Sequence, residues 1–488
     1  MRFDYDLVII GGSAVAAYAA VAASRFNARV ALVEAGSSEL HQSSMLHHYS
    51  LTQLGQVLQQ VGKAQQWGLL AGETETTITW QALLERTQVT AQAIATHEQI
   101  AESRLQLAAA GVDVISGQGH FSPDRRLGKA EPYDSLPVLE VNGRLLRSRR
   151  FLLAPPTQTI VPPVAGLATV NYCTLDSLWE TSWASLPPRL LIWGEDPRGI
   201  EIAQILNRLG SQVTLVTGGT RLLPLEDAEA THWLQAQLEA EGITLLTNAS
   251  ITQVKQLAGQ IWIQAGDYAL ETDALLLATP HHLSLNALSL ETVGVEWHLR
   301  GVCVNRKLQT TNSHIYACGE AIGGYFLPHL ARYEAEIAVR NALFAPIKAV
   351  DYRSVAWALL TQPNLARVGL TEAQARRAYS NDIIVLKHFF KAFLKPQVQD
   401  ETTGFCKLIV RHSGEILGAH IIGAEASEWI GAIALAIQHA IKLQTIESAA
   451  WISPSFSEII GYLAQQWQWQ RRPHWQQSLM ESWFNLRR

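Results

Sequence analysis

The chain has 488 residues, which is long enough for about three domains and a large hydrophobic core. Its formal net charge of −5 comes from interspersed acidic and basic residues, so no nucleic-acid partner is expected. The four cysteines lie far apart in the sequence and form neither a CxxC pair nor a metal-ligand cluster. We therefore expect reduced thiols, no metal site and a cytoplasmic protein.

The N-terminus enters a predicted strand by Asp6, without the basic and apolar regions of a secretory signal. No uninterrupted apolar run is long enough to span a bilayer. The sequence therefore indicates a cytoplasmic protein that is at most peripheral to a membrane.

The first predicted elements form a βαβ unit. "DLVII" is an apolar strand, "GGSAVAAYAAVAASRF" is a glycine turn followed by a helix, and "ARVALVE" is a strand that ends in an acid. The turn and the helix N-terminus suit a pyrophosphate, and Glu34 suits a ribose hydroxyl. In the G-x-G-x-x-G frame two glycines are replaced by the small residues Ser13 and Ala16. The alternative is an α/β domain with an empty glycine turn. The predicted dinucleotide ligands are Gly11, Gly12, Ser13, Ala14, Ala16 and Glu34.

A second unit of the same kind is predicted over residues 189–217, "RLLIWGEDPRGIEIAQILNRLGSQVTLVT". Here the central glycine is replaced by Asp196, which stands beside Glu195. Like charges oppose the binding of a pyrophosphate unless Arg198 or a cation neutralises them. The candidate NAD(P) ligands are Gly194, Arg198, Gly199 and Arg221. The alternative is a nucleotide fold kept for its structure.

Both units together, and the segments that follow them, resemble the FAD-dependent pyridine nucleotide-disulfide oxidoreductases, such as dihydrolipoamide dehydrogenase, glutathione reductase and mercuric reductase. "APPTQTIVPPVAG" is similar to the connection that leaves the family's flavin domain, and "HIYACGEAIGG" is similar to its second FAD motif. The resemblance implies FAD as a cofactor, NAD(P)H as a candidate second cofactor, and a homodimer. It adds Ala154, Gly319 and Glu320 to the FAD ligands.

The resemblance implies an α/β fold with two Rossmann-like dinucleotide-binding domains and an α+β C-terminal dimerisation domain. The predicted boundaries are 1–165 and 286–345 for a discontinuous FAD-binding domain, 166–285 for an NAD(P)-binding-like domain, 346–464 for the dimerisation domain, and 465–488 for a Trp/Arg-rich amphipathic tail.

The chain departs from the family at its redox centre. The family carries a CxxxxC disulfide on the helix after the first unit, and an HPTxxE segment that supplies an acid/base histidine. An ungapped count places Gln42 and His47 near the two cysteine positions. Ser453 replaces the histidine, while Glu458 keeps its place in the frame. The loss of both parts excludes lipoamide, glutathione and mercuric ion as substrates by the family's mechanism.

Several polar residues near these changes are candidates for chemistry. His47 or His48 can donate a proton to a reduced acceptor, and Glu458 is a further catalytic candidate. The alternative for the two histidines is a surface or capping role. His281 and His282 are interpreted as loop residues in place of the family's Gly-Arg.

The tail carries a stripe of apolar residues on one helical face: Trp475, Leu479, Trp483 and Leu486. Tryptophan and arginine on a short amphipathic helix suit a membrane interface, so peripheral membrane contact through 465–488 is one interpretation. Packing of the stripe on the protein itself is the other.

These features predict an FAD-containing oxidoreductase without a redox disulfide. It would pass electrons from NAD(P)H or another donor through the flavin directly to a small non-disulfide acceptor such as a quinone. The alternatives are a catalytically degenerate flavin-binding structural or regulatory protein, and a scaffold without FAD.

Overall fold

The structure of the chain is a computed structural model. It describes residues 3–34, 39–69, 80–95, 104–123, 136–181, 183, 185–283, 285–324, 327–470 and 482–487, without the side chains of 39–45, 94, 95 and 282. The described residues form two compact units, one of 1–218 with 248–350 and one of 219–247 with 351–488. The domain boundaries given by the sequence stay predictions.

The first half of the first unit contains β1 (Tyr5–Ile10), α1 (Ala14–Ser24), β2 (Val30–Glu34), α2 (Glu39–Gln66), α3 (Trp80–Ala95), α4 (Arg104–Ala109), β3 (Asp113–Ser116), β4 (Gly119–Pro123), β5 (Pro137–Val141), β6 (Arg144–Leu153), β7 (Thr157–Thr159), β8 (Cys173–Thr174), β9 (Arg189–Gly194), α5 (Pro197–Arg208) and β10 (Gln212–Val216). Its second half contains β12 (Ile251–Leu257), β13 (Gln260–Ala265), β14 (Tyr268–Thr272), β15 (Ala274–Ala278), β16 (His281–Leu283), β17 (Trp297–His298), β18 (Gly301–Val302), β19 (Ile315–Ala317) and α7 (Pro328–Leu343).

The second unit contains α6 (Ala228–Ala240), β11 (Thr244–Leu246), β20 (Ala356–Leu359), β21 (Asn364–Gly369), α8 (Glu372–Tyr379), β22 (Ile383–Phe389), α9 (Leu394–Val398), β23 (Phe405–Arg411), β24 (Ile416–Gly423), α10 (Ala426–Gln438), α11 (Leu443–Glu447) and α12 (Glu458–Gln470).

The first unit holds two sheets with parallel strands. The parallel part of one has the order β3-β2-β1-β6-β19, with β5 and β4 added antiparallel at β6, and the other sheet includes the parallel order β10-β9-β15-β8. Strands β1 and β2 are apolar because both faces of a parallel sheet are covered. The alanine-rich α1 packs against α7 through small side chains such as Ala16, Ala335 and Ala338, which let the helices approach closely. Both Rossmann-like halves predicted by the sequence are confirmed.

The second unit is built on an antiparallel sheet of order β20-β21-β24-β23-β22. Helices α10 and α12 cover one core of this sheet, in which Phe390, Trp429, Phe456 and Trp467 are buried. This mixture of helices with an antiparallel sheet agrees with the predicted α+β class.

Candidate functional site

The first glycine turn has the geometry of a dinucleotide-binding turn. Gly11 has a φ of +150°, and a Cβ on this residue would lie 1.9 Å from the Ala154 carbonyl oxygen. Gly12 follows in the turn, and Ser13 caps α1 by accepting a hydrogen bond from the Ala16 amide at 3.3 Å. No acidic residue occupies the first turn of α1. The helix therefore directs its N–H groups and its positive end outward from a neutral cap, which suits a phosphate group.

Parallel neighbours in the first sheet bring the remaining FAD candidates to the same edge. Strands β2, β1, β6 and β19 run parallel and adjacent, so their carboxyl ends lie together. Glu34 ends β2, Ala154 follows β6, and Gly319 follows β19. Dinucleotides bind outside the carboxyl ends of such strands, so these residues fit FAD in composition and placement.

The two candidate acids at this edge are both engaged by neighbouring groups. Glu34 is buried, and its carboxylate accepts a hydrogen bond from the Arg104 guanidinium at 2.9 Å. Glu320 accepts hydrogen bonds from the Thr157 amide at 2.9 Å and from the Thr157 hydroxyl. The Gly319 amide donates to the buried carboxylate of Glu334 at 2.7 Å, which fixes the turn before Glu320. The acids are thus held in place at the edge where the cofactor's hydroxyl groups are expected.

The second glycine turn has the same backbone but different side chains. Gly194 has a φ of +143°, and a Cβ there would lie 1.9 Å from the Ala278 carbonyl oxygen. Gly199 packs against Ala278, where an added Cβ would come within 2.5 Å of the alanine methyl group. Arg198 forms an ion pair with Asp196 at 2.9 Å. Arg198, the candidate neutralising cation, is therefore engaged by the protein's own carboxylate, and its role as an NAD(P) ligand stays a prediction.

Arg221, the other candidate phosphate ligand, binds its own loop in the second unit. Its guanidinium donates hydrogen bonds to the carbonyl oxygens of Pro224 and Glu226 at 2.6 and 3.0 Å, and to the Thr231 hydroxyl at 2.8 Å. These contacts give Arg221 a structural role, and its role as a nucleotide ligand stays a prediction.

His47 and His48 are buried on α2, so their interpretation as surface residues is wrong. The His47 ring stacks on Trp179 with 5.5 Å between centroids. His48 Nε2 contacts a carboxylate oxygen of Glu201 on α5, and both side chains are only 6% exposed. The helix α2 thus carries a buried imidazole–carboxylate pair, which is a group able to hold a proton.

A cavity of about 440 Å³ lies between α2 and α7. Tyr49, the neighbour of His48, lines it together with Pro328, His329, Arg332, Tyr333 and Glu336. Burial and the nearby Glu201 carboxylate raise the pKa of Tyr49, so its phenol stays protonated at neutral pH. The walls combine two phenol rings with the basic side chains of His329 and Arg332 and the acid Glu336, so they offer both apolar contact and hydrogen bonds to a small planar molecule.

Comparison with known proteins decides the family. The model of the pyridine nucleotide-disulphide oxidoreductases matches residues 5–336, and the model of their dimerisation domain matches residues 355–464. The chain belongs to the flavin-dependent pyridine nucleotide-disulfide oxidoreductase family. The second match supports a homodimer.

Two relatives in this family align over nearly the whole chain. The mercuric reductase of Staphylococcus aureus is 30% identical over 91% of this chain and 79% of its own length. A dihydrolipoyl dehydrogenase of Bacillus subtilis (strain 168) is 29% identical over 93% of this chain and 96% of its own length.

Two solved structures share the fold. LpdA from Mycobacterium tuberculosis superposes with a TM-score of 0.81 at 23% identity, covering 94% of this chain and 99% of that one. The HOCl-induced flavoprotein disulfide reductase RclA from Escherichia coli, as a Cu(II) complex, gives a TM-score of 0.76 at 22% identity over 96% and 100% of the two chains. The fold class predicted from the sequence is confirmed.

The structure has all four cysteines as free thiols, and Cys173, Cys318 and Cys406 are buried. Burial raises the pKa of Cys173 to about 12 and also raises the pKa of Cys318 and Cys406, so these thiols are protonated at neutral pH. Gln42, one of the two positions aligned with the family's cysteines, has a side chain outside the described residues.

The C-terminal candidates have local structural partners. The Glu458 amide at the start of α12 donates a hydrogen bond to the Ser455 hydroxyl at 3.1 Å, and the Ser455 amide donates one to the Glu458 carboxylate at 3.5 Å. This pair forms the N-terminal cap of the helix. Ser453 lies just before it and is exposed. A catalytic role for Glu458 stays a prediction.

The predicted membrane-facing tail is described only in part. Trp475 and Leu479 lie outside the described residues, whereas Trp483 and Leu486 are exposed. Trp467, near the start of the tail, is buried within α12. Among the described helices, none is both long enough and apolar enough to cross a membrane. Within the same residues, no group of three or more His, Cys, Asp or Glu side chains is arranged to hold a metal ion.

Sequence reasoning missed four residues that shape these sites: Trp179, Glu201, Arg104 and Thr157. Only Glu201 left a signal, because it is an acid on the apolar face of α5, between Ile200 and Ile202. The interpretation of His281 as a loop residue is wrong, since it lies in β16 and pairs with Thr159 of β7. That pairing joins distant segments and has no local sequence pattern.

Proposed function

We propose that the chain is an FAD-containing oxidoreductase that passes electrons from its flavin directly to a non-disulfide acceptor such as a quinone. The observation that carries this proposal is the cavity beside Tyr49 and the buried pair of His48 and Glu201. Its walls come from α2, which follows the acid Glu34 at the end of β2, and from α7, which follows the second FAD motif. Both elements thus lead away from predicted FAD ligands.

The residues at the edge of the first sheet would hold FAD, and FAD supplies the two-electron chemistry when it is bound. Gly11, Ser13 and the first turn of α1 would hold the pyrophosphate. Glu34 would hold a ribose hydroxyl, and Glu320 with Ala154 and Gly319 would lie at the second FAD motif.

The proposed reaction needs a proton donor, and residues of the cavity can supply the proton. Reduction of a quinone to a hydroquinone takes two electrons and two protons, and FAD, when bound, would supply both electrons and one of the protons. The second proton has to come from the protein or from water. Tyr49 can donate it from its protonated phenol, and the pair of His48 and Glu201 can replace it. Arg332 and His329 can polarise the acceptor's carbonyl oxygens.

The absence of cysteine from residues 34–60 supports a non-disulfide acceptor, since no dithiol follows the first nucleotide unit. The buried positions of Cys173, Cys318 and Cys406 support it as well, because a thiolate is the reactive form of cysteine. We infer that lipoamide and oxidised glutathione are not substrates.

The test is a transfer experiment that needs no natural donor. Protein with bound FAD is reduced anaerobically by light in the presence of EDTA and is then mixed with a soluble benzoquinone, with lipoamide or with oxidised glutathione. We expect the flavin absorbance to return rapidly with the quinone, at a rate that saturates with its concentration, and to return with neither disulfide. Rapid reoxidation by a disulfide, or none by the quinone, would refute the proposal.

A pair of matched variants tests the cavity. Tyr49→Phe removes the phenol proton and should slow reoxidation by the quinone by about tenfold or more, as loss of a proton donor does. Tyr268→Phe makes the same change on β14, at an exposed tyrosine outside the cavity, and should leave the rate unchanged. Equal rates for both variants would remove Tyr49 from the reaction.

A second candidate function is a flavin-binding structural or regulatory protein that does not turn over. The side chains that fill the second glycine turn favour it, because they oppose binding of a nicotinamide donor. Bound FAD that is photoreduced but not reoxidised by any quinone would be its signature.

A further inference from the structure

The second glycine turn has the backbone of a dinucleotide site, but it carries a charged side chain where the first turn has a neutral one. In both turns a glycine with a φ near +145° lies against the carbonyl oxygen of an alanine, with Gly11 against Ala154 and Gly194 against Ala278. Two residues later the first turn has Ser13, and the second has Asp196. The two turns can therefore be compared residue by residue within one chain.

Asp196 occupies the N-terminus of α5. Its Oδ1 accepts hydrogen bonds from the Arg198 amide at 2.9 Å and from Arg198 Nε at 3.1 Å, and its Oδ2 accepts one from the same guanidinium at 2.9 Å. Burial opposes ionisation of Asp196, but Arg198, together with His281, holds its pKa below the usual range. An ionised carboxylate thus occupies the helix N-terminus, bound to the Arg198 amide, where a pyrophosphate would bind.

A second carboxylate, that of Glu195, lies at the position where a nucleotide ribose would be expected. Glu195 Oε1 accepts a hydrogen bond from the Thr217 hydroxyl at 3.0 Å. Thr217 follows β10, as Glu34 ends β2 in the first half. The place of the ribose-binding acid is therefore taken by a threonine bound to a carboxylate of the glycine turn itself.

The surroundings add further negative charge. Asp176 accepts a hydrogen bond from the Thr159 hydroxyl at 2.9 Å and lies 3.4 Å from His281 and 3.9 Å from Arg198. Although burial opposes ionisation of Asp176, the hydrogen bond and charge of His281 and the charge of Arg198 keep its pKa low. Glu320 also contributes to the field at Arg198. The Arg198 guanidinium and the His281 imidazole thus face the three carboxylates of Asp176, Asp196 and Glu320, so negative charge exceeds positive charge here and the field repels a diphosphate.

We propose that Asp196, locked by Arg198, excludes the pyrophosphate of NADH and NADPH from the second nucleotide fold. Side chains of the fold itself occupy the pyrophosphate position, and Asp196 is the residue that prevents NADH and NADPH from binding. The electrons that reduce the flavin therefore enter from a donor that does not bind this turn. This inference does not depend on the identity of the acceptor.

The decisive variant copies the first turn into the second. Asp196→Ser removes the carboxylate but keeps a residue able to cap α5, as Ser13 caps α1. Binding of NADH and NADPH is measured by equilibrium dialysis with the FAD-loaded protein. We expect no saturable binding to the wild type at millimolar nucleotide, and at least tenfold tighter binding to the variant.

The chain offers a matched control. Asp351 accepts hydrogen bonds from the Arg353 amide at 3.1 Å and from its guanidinium at 2.9 and 2.7 Å, which is the same Asp-x-Arg arrangement outside the second nucleotide fold. Asp351→Ser should leave nucleotide binding at the wild-type level. Thermal unfolding of both variants shows whether each one is folded.

Three outcomes would overturn the inference. The first would be saturable binding of either nucleotide to the wild type at micromolar concentration, which needs no variant to observe. The second would be bleaching of the wild-type flavin by NADH under anaerobic conditions. The third would be an Asp196→Ser variant that folds but binds NADH and NADPH no more tightly than Asp351→Ser does, because Asp196 would then not be the residue that excludes the nucleotide. None of these results depends on whether a quinone reoxidises the flavin, so this inference and the proposed function fail separately.

Discussion

Glu226 gives a prediction whose sign and size follow from its surroundings. Its carboxylate is 2% exposed, with one oxygen 3.1 Å from Arg367 Nε. Among the residues that the structure describes, its other oxygen has no hydrogen-bond partner. Burial raises the pKa of Glu226 to about 7, and the charge of Arg367 only partly offsets this effect. The neutral acid is therefore the form that the fold favours.

The direction of the pH effect follows from proton linkage. Between pH 4.5, the ordinary pKa of this group, and about 7, folded Glu226 holds a proton that the unfolded chain has lost. The free energy of unfolding contributed by this group therefore falls as the pH rises through that window. The two pKa values differ by about 2.5, and at about 1.36 kcal/mol per pKa unit the ionised carboxylate costs about 3 kcal/mol above pH 7.

Glu226→Gln should remove this cost, because an amide has nearly the shape of the protonated acid. We expect the variant to exceed the wild type in unfolding free energy by about 3 kcal/mol at pH 8 and by less at each lower pH. Urea unfolding of both proteins at pH 5, 6, 7 and 8 and at equal concentration measures the difference. The matched control is Glu415→Gln, which alters a partly exposed carboxylate 3.0 Å from Arg411 and should change stability by at most about 1 kcal/mol. A difference that stays constant with pH, or grows towards pH 5, would refute the reasoning.

Two further predictions concern the first unit. Glu201→Gln should destabilise the fold by about 1 to 3 kcal/mol, because it weakens the buried hydrogen bond between the Glu201 carboxylate and His48 Nε2. A smaller loss in the double variant with His48→Leu than in Glu201→Gln alone, measured by thermal or urea unfolding, would confirm that the two side chains are coupled. Gly11→Ala should abolish FAD binding, since the new Cβ would lie 1.9 Å from the Ala154 carbonyl oxygen, and retention of the full flavin absorbance after dialysis would contradict this.

The parts of the fold that the sequence predicted are those with a local signal. The strand "DLVII" became β1, and the helix after it became α1, because an apolar run and an alanine-rich segment carry their own preference. The glycine positions were also predictable, since only glycine fits the close approach of Gly11 to Ala154. Such features depend on a few neighbouring residues, which a single sequence displays directly.

The parts that the sequence did not predict depend on partners far away in the chain. The polar segment around His48 leaves a surface or capping role as an alternative to proton donation, whereas the structure buries His48 against Glu201, a carboxylate from another nucleotide fold. His281 was placed in a loop because the strand that it joins ends more than a hundred residues earlier. Burial of a polar side chain is decided by such partners, and no periodicity in one segment contains them.

The two glycine turns show why a motif count can mislead about function. The second turn keeps two glycines of the G-x-G-x-x-G frame, Gly194 and Gly199, whereas the first keeps only Gly11, so a count favours the second as the working site. Glycine supplies room and backbone freedom, but the attraction for a phosphate comes from amide groups whose charge is not already compensated. Ser13 leaves that attraction in place, and Asp196 cancels it with a carboxylate of the protein's own. The residue between the glycines therefore carries more information about cofactor binding in this chain than the glycines themselves.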